Sequence, residues 1–223
     1  MAGALAAQPL PSPVVFPTSG SASAQADFLQ GVTALHNFEY EEANEAFVRA
    51  RKADPGFAMA YWGEAMSYHQ TLWRNEDVAA GRRALAGLAP TAAARAARAG
   101  TATERGYLAA VEALFGEGDS DTRRRVYAEA MERLHESQPD DPEAASWYAL
   151  ALLGTTSRSL IGYVDTHEGH SASLAGSETQ TRAGQILEAV LRAHPEHPGA
   201  LHYLLHNYDD PEHARLGLDA ART

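Results

Sequence analysis

The chain has 223 residues, 45% of them hydrophobic, which is enough for one or two domains with a substantial core. A formal net charge of -11, with no Lys/Arg stripe to reverse it locally, weighs against nucleic acid and anionic membrane surfaces as partners. Cysteine is absent, so disulfides and thiolate chemistry are excluded, and no run of about 18 apolar residues is present to span a bilayer.

Residues 1–25 are rich in Ala, Pro and Ser and lack a basic segment ahead of their short apolar stretch. They read as a flexible N-terminal arm. The compartment stays open: cytoplasmic as the sequence stands, exported if the arm is a trimmed leader. From Asp27 onward apolar residues recur at three- and four-residue spacing between Pro and Gly turns, and alternating β-branched runs are missing. Residues 26–223 are therefore expected to form a single all-α domain.

Gly31, Ala43, Phe47, Ala50 and Pro55 match the small, aromatic and proline positions of the 34-residue tetratricopeptide helix-turn-helix unit. A second unit starts at Phe57, with its second helix expected over Glu76 to Leu88. A linker over Pro90 to Gly100 precedes a third pair, which opens at the capping-box sequence Thr101-Ala-Thr-Glu104 and breaks at Gly116-Glu-Gly118. Asp141-Pro142 opens a fourth pair, interrupted by an insertion at 155–177 rich in Gly, Ser and His. Asp210-Pro211 is expected to start the last helix. The expected fold is a tetratricopeptide-like right-handed superhelix of about five helical hairpins.

Seven of the ten histidines fall between His167 and His213. His202 and His206, four residues apart, lie on one face of an expected helix, one turn from each other, as two metal ligands from a single helix must. His167 and His170 in the insertion are the candidates to complete the set, with Glu168 as an additional ligand; a loop of that composition is costly to order without a partner. Several imidazoles without a thiolate suit copper or iron, with zinc as a further option. Copper or iron implies oxidative chemistry and zinc implies hydrolysis.

In a tetratricopeptide superhelix the first helix of each pair lines the concave surface. The register puts Phe28, Val32 and His36 there in the first unit and Trp62 and His69 in the second, with Tyr203 beside the histidine pair. For His36 and His69 a satisfied structural imidazole is the simpler reading. His194 and His197, around a turn, are expected to be exposed. Glu64, at a normally apolar position, is expected to pair with an arginine or to serve as an acid or base.

The segments Phe16-Pro-Thr-Ser19, Gly31-Val-Thr-Ala-Leu-His-Asn-Phe38, Ala58-Met-Ala-Tyr-Trp-Gly-Glu64-Ala-Met and His202-Tyr-Leu-Leu-His206-Asn-Tyr-Asp-Asp-Pro-Glu-His-Ala214 resemble a group of bacterial tetratricopeptide-repeat proteins, many of them exported. The resemblance implies the fold and the weight of these segments, and no particular reaction. Longer members continue into further repeats carrying more histidines. Two functions follow as expectations. One is a metal-binding, metal-dependent enzyme acting on a small molecule in the concave cavity. The other is a non-catalytic scaffold holding a peptide or protein partner in that groove. Homo-oligomerisation would cover an exposed last hairpin.

Overall fold

Helix α1 (Ala22–His36) and helix α2 (Tyr40–Ala53) form the first hairpin. Phe47 of α2 fills the space between helices: its ring lies where a Cβ on Gly31 would come within 2.8 Å and one on Gly63 within 2.2 Å. Any larger residue at either glycine would push the ring out, so these two small positions set the helix spacing. Acidic Glu41 and Glu42 in the first turn of α2, with Arg51 and Lys52 in its last, complement the helix dipole.

The chain, a computed structural model describing residues 14–156, 174–209, 213–218 and 220–222, is mostly helical, as expected of an all-α protein. After α2 come α3 (Ala58–Met66), a small antiparallel hairpin of β1 (His69–Gln70) and β2 (Asn75–Glu76), α4 (Val78–Leu88) and the short α5 (Ala92–Ala96). Then follow α6 (Ala102–Leu114), α7 (Ser120–Ser137), α8 (Pro142–Thr155), α9 (Leu174–Ala193) and α10 (Pro198–Asn207). Helix α3 packs against α1, α2, α4 and α6, and α8 against α7, α9 and α10. Both are enclosed and largely apolar for that reason, with every residue of α3 buried and an unbroken buried run from Glu143 to Ala151 in α8.

The caps fall where the sequence places them. Thr101 and Glu104 close a capping box on α6, and the Asp141 carboxylate accepts from the backbone N–H groups of Glu143 and Ala144, with Pro142 in the first turn of α8. Other expectations need correcting. Glu76 belongs to β2 rather than to the helix that follows, because Asp77 caps α4 through Ala80 N–H. The Pro90 to Gly100 linker contains α5, capped by Thr91. Helix α1 begins at Ala22, inside the stretch expected as an arm. Val14 and Phe16 are buried, and Ser19 donates to Glu104 from both its N–H (2.6 Å) and its hydroxyl (2.9 and 2.8 Å). The expected start of a last helix at Asp210 lies outside the described residues, and beyond it Leu216–Leu218 and Ala220–Arg222 form single 3-10 turns.

Helix α10 packs back onto α1 as well as onto α8 and α9. The first helices of the hairpins thus close around a shared interior, and aromatic rings occupy it. Phe16 meets Phe28, Trp62 and Tyr107 at centroid distances of 5.4, 5.8 and 4.9 Å, Trp62 meets Trp147 at 5.6 Å, and Trp147 stacks on His36 at 4.8 Å. The surface expected to line an open concave cavity is here a packed core.

Candidate metal centre

His202 and His206 stand on α10, a helix opened by Pro198 in its first turn and capped by His197. Their imidazoles converge: Nε2 of one lies 3.2 Å from Nε2 of the other. His202 is oriented by α1. Its Nδ1–H donates to the carbonyl of His36 at 2.7 Å, and that carbonyl, at the end of α1, has no partner within its own helix. The tautomer follows, because a carbonyl can only accept. His202 carries its proton on Nδ1 and presents a lone pair on Nε2. Burial, reinforced by the neighbouring His202, lowers the pKa of His206 and favours its neutral form.

Phe38 wedges this pair in place. Its backbone has φ 61°, a left-handed conformation that bulky residues rarely adopt, at the point where Glu39 N–H reaches the Ala34 carbonyl and Phe38 N–H the Leu35 carbonyl. A glycine would normally hold this C-terminal position. Here the ring gains what the backbone loses, lying 4.4 Å from His202, 5.6 Å from Tyr203 and 5.5 Å from His206. Trp73, 49% exposed, flanks His206 at 6.1 Å, so the pair sits at a rim open to solvent.

Beneath it is a second histidine group that the sequence did not assemble. His36, Glu143 and His197 place one donor atom each within 4.8 Å of one another, the one such trio of potential metal ligands among the described residues. His36 Nε2 lies 2.9 Å from Glu143 Oε2, His197 Nε2 lies 3.3 Å from Glu143 Oε1, and the Tyr203 hydroxyl lies 2.9 Å from His36 Nδ1. The proton arrangement argues against an ion here. His197 Nδ1 accepts the Ala200 backbone N–H at 3.1 Å, which leaves the ring proton on Nε2, facing the carboxylate. A metal on that Nε2 would need an imidazolate. The trio instead reads as a buried polar tie joining α1, α8 and α10. Burial alone would push the Glu143 carboxyl up, but His36 and His197 opposite its two oxygens outweigh burial and hold it at about 2.

The remaining expected positions fall as follows. His36, Trp62 and Tyr203 are buried in the core, at 0%, 1% and 0% exposure, so they do not line an open cavity: Phe16 and Trp147 fill the space before them. His69 is also buried, beside Glu76 at 3.4 Å. Glu64 pairs with Arg51 at 2.6 Å, as the first of its two expected roles requires, while burial outweighs that arginine and raises its carboxyl pKa, which keeps the second open. His194 is exposed as expected, but His197 is not: its position before Pro198 makes it the helix cap, which draws the ring inward. That His-Pro step is the sequence signal for its role. His167, Glu168 and His170 lie outside the described residues. Comparison with protein-family models, with curated proteins and with solved structures finds no match to this chain.

Proposed function

We propose that this is a metal-binding, tetratricopeptide-like protein whose site is built on His202 and His206. The convergence of the two Nε2 atoms at 3.2 Å carries the reading. Two imidazoles bound at about 2.0–2.1 Å to one tetrahedral ion stand about 3.3 Å apart, so the nitrogens need move little, and His206 has only to shift to Nδ1 the proton that its Nε2 donates to His202 Nε2. The bond from His202 Nδ1 to the His36 carbonyl supplies the outer hydrogen bond that ligating histidines generally make. Repeat architecture is supported by the helical hairpins and by Phe47 seated against Gly31 and Gly63.

His167 and His170, with Glu168, are the proposed sources of further ligands. With imidazoles and no thiolate, copper or iron is favoured and zinc is the third choice. A bound copper or iron would supply one-electron and oxygen chemistry, making the protein an oxidative enzyme. The small-molecule substrate then approaches at the rim beside Trp73 and Phe38, because the interior is filled.

The test is elemental analysis of tag-free protein purified without chelator, beside His202→Ala and His206→Ala variants of matched helicity. Near-stoichiometric copper, iron or zinc that is lost in the variants is expected. No metal in any of the three proteins, with no uptake on reconstitution, would overturn the reading.

One observation favours the scaffold alternative. A cavity of about 910 Å³ runs between Val14, Val15 and Pro17 on one side and Pro139, Pro195 and Pro198 on others, with Asp140, His194 and Glu196 among its polar residues, a groove of mixed character that suits a peptide. In that case replacing Val15 with Asp abolishes partner binding, and metal is irrelevant to it.

A further inference from the structure

On the other side of the β1–β2 hairpin, α7 contributes an arginine in an unusual position. Arg124 is only 2% exposed. Its Nη1 makes a single long contact, 3.5 Å to the Thr71 carbonyl, while Nε and Nη2 are buried with no hydrogen-bond partner. Guanidinium does not lose its proton in proteins, so this is a buried cation with no carboxylate bonded to it and most of its donors unpaired, an arrangement that is costly unless something completes it.

The surroundings do not complete it. Glu76, the carboxylate acting on Arg124, gives one oxygen to Arg123 and turns the other toward His69. Arg74 and Arg123 add positive charge nearby. Arg124 forms part of the wall of a cavity of about 800 Å³ whose other acidic residues are already engaged. Asp121 pairs with Arg74, Glu129 with Arg125 and Glu132 with Arg182, and Asp119 caps α7 through Thr122 N–H. Arg74 is the second cation at hand: Nη1 is held by the Thr156 carbonyl at 3.1 Å, and Nη2 pairs with Asp121, which is 80% exposed, a pair worth little in water.

We propose that this cavity binds the oxyanion group of a small molecule, a carboxylate or phosphate, with Arg124 as its principal partner and Arg74 as the second. The planar fork of a guanidinium matches two oxygens of either group, and the Nε and Nη2 of Arg124 have no hydrogen bond to give up. A small molecule fits better than a polymer. The cation is recessed, and a chain of net charge -11 repels polyphosphate backbones.

Thermal unfolding of protein stripped of metal and then dialysed free of chelator, with inorganic phosphate, succinate or sodium chloride at matched ionic strength, tests this, so that the outcome is independent of metal at His202 and His206. The wild-type Tm is expected to rise by about 3 °C or more with phosphate or succinate and not with chloride. Which of the two acts distinguishes a phosphate ligand from a carboxylate one. Arg124→Met, which keeps the length and removes the charge, should match or exceed the wild-type Tm in anion-free buffer and lose the response, while Arg124→Lys keeps part of it. A wild-type protein indifferent to both oxyanions, or an Arg124→Met protein that still responds or is markedly less stable without anion, would overturn the proposal.

Discussion

At the scale of single residues, two histidine groups a few ångströms apart differ in where their protons must be. His202 donates from Nδ1 to a carbonyl and so offers Nε2 to a metal; His197 accepts at Nδ1 from a backbone N–H and so keeps Nε2 protonated toward Glu143. Substituting each group should therefore have opposite effects. His206→Ala is expected to weaken metal binding by more than the roughly 10- to 100-fold that loss of an outer hydrogen bond costs, with the unfolding midpoint little changed. Glu143→Gln should destabilise the fold by about 3 kcal/mol, because it leaves two buried imidazoles facing a neutral amide, and should leave metal affinity within about threefold of wild type. Chemical denaturation and calorimetric metal titration of both variants check this pair; metal affinity lost with Glu143→Gln alone would move the site to the buried trio.

Helices position these groups through close approaches that tolerate no added atoms. A Cβ at Gly199 would sit 2.2 Å from His36 Nδ1, so Gly199→Ala must push α10 off α1 or displace the imidazole. A loss of about 2 kcal/mol or more is expected in urea unfolding, despite the better helix propensity of alanine. An unchanged midpoint would mean that α10 is not seated on α1 as described. Much at this scale was legible in advance: the capping box at Thr101 and Glu104, the Asp141-Pro142 start of α8 and the helix bearing His202 and His206 all follow from local chemistry. The β1–β2 hairpin was not, since two-residue strands leave no alternation to read, nor was the left-handed Phe38, whose energy is recovered only through rings distant in sequence.

For the whole molecule, closure is what the sequence could not convey. Repeat register predicts which residues face inward, and Phe28, Val32, His36 and Trp62 do; it cannot say that Phe16, Trp147 and α10 will fill the space they face. The candidate site was consequently half legible: the pair on α10 from its four-residue spacing, but not its place at a rim, nor Glu143 and His197 beneath it. Closure also links the fold to pH. Glu143 and Glu76 are both held at about 2, Glu143 because His36 and His197 outweigh its burial, and Glu76 because of His69, 3.4 Å away, aided by Ser120 and Arg123. Their folded-state values are depressed from 4.5, so the stability they contribute is complete above about that pH and is lost as pH falls through about 2. Acid titration of the unfolding free energy should show this loss, less steeply in Glu143→Gln.

The central claim, that His202 and His206 rather than the buried trio receive the ion, is tested most directly by long-range nitrogen–proton NMR of the histidine rings with and without zinc. Before zinc, His202 should carry its proton on Nδ1 and His197 on Nε2. On addition, the Nε2 resonances of His202 and His206 should shift to metal-bound positions while those of His36 and His197 stay fixed. Shifts at His36 and His197, with His202 and His206 unchanged, would contradict the account.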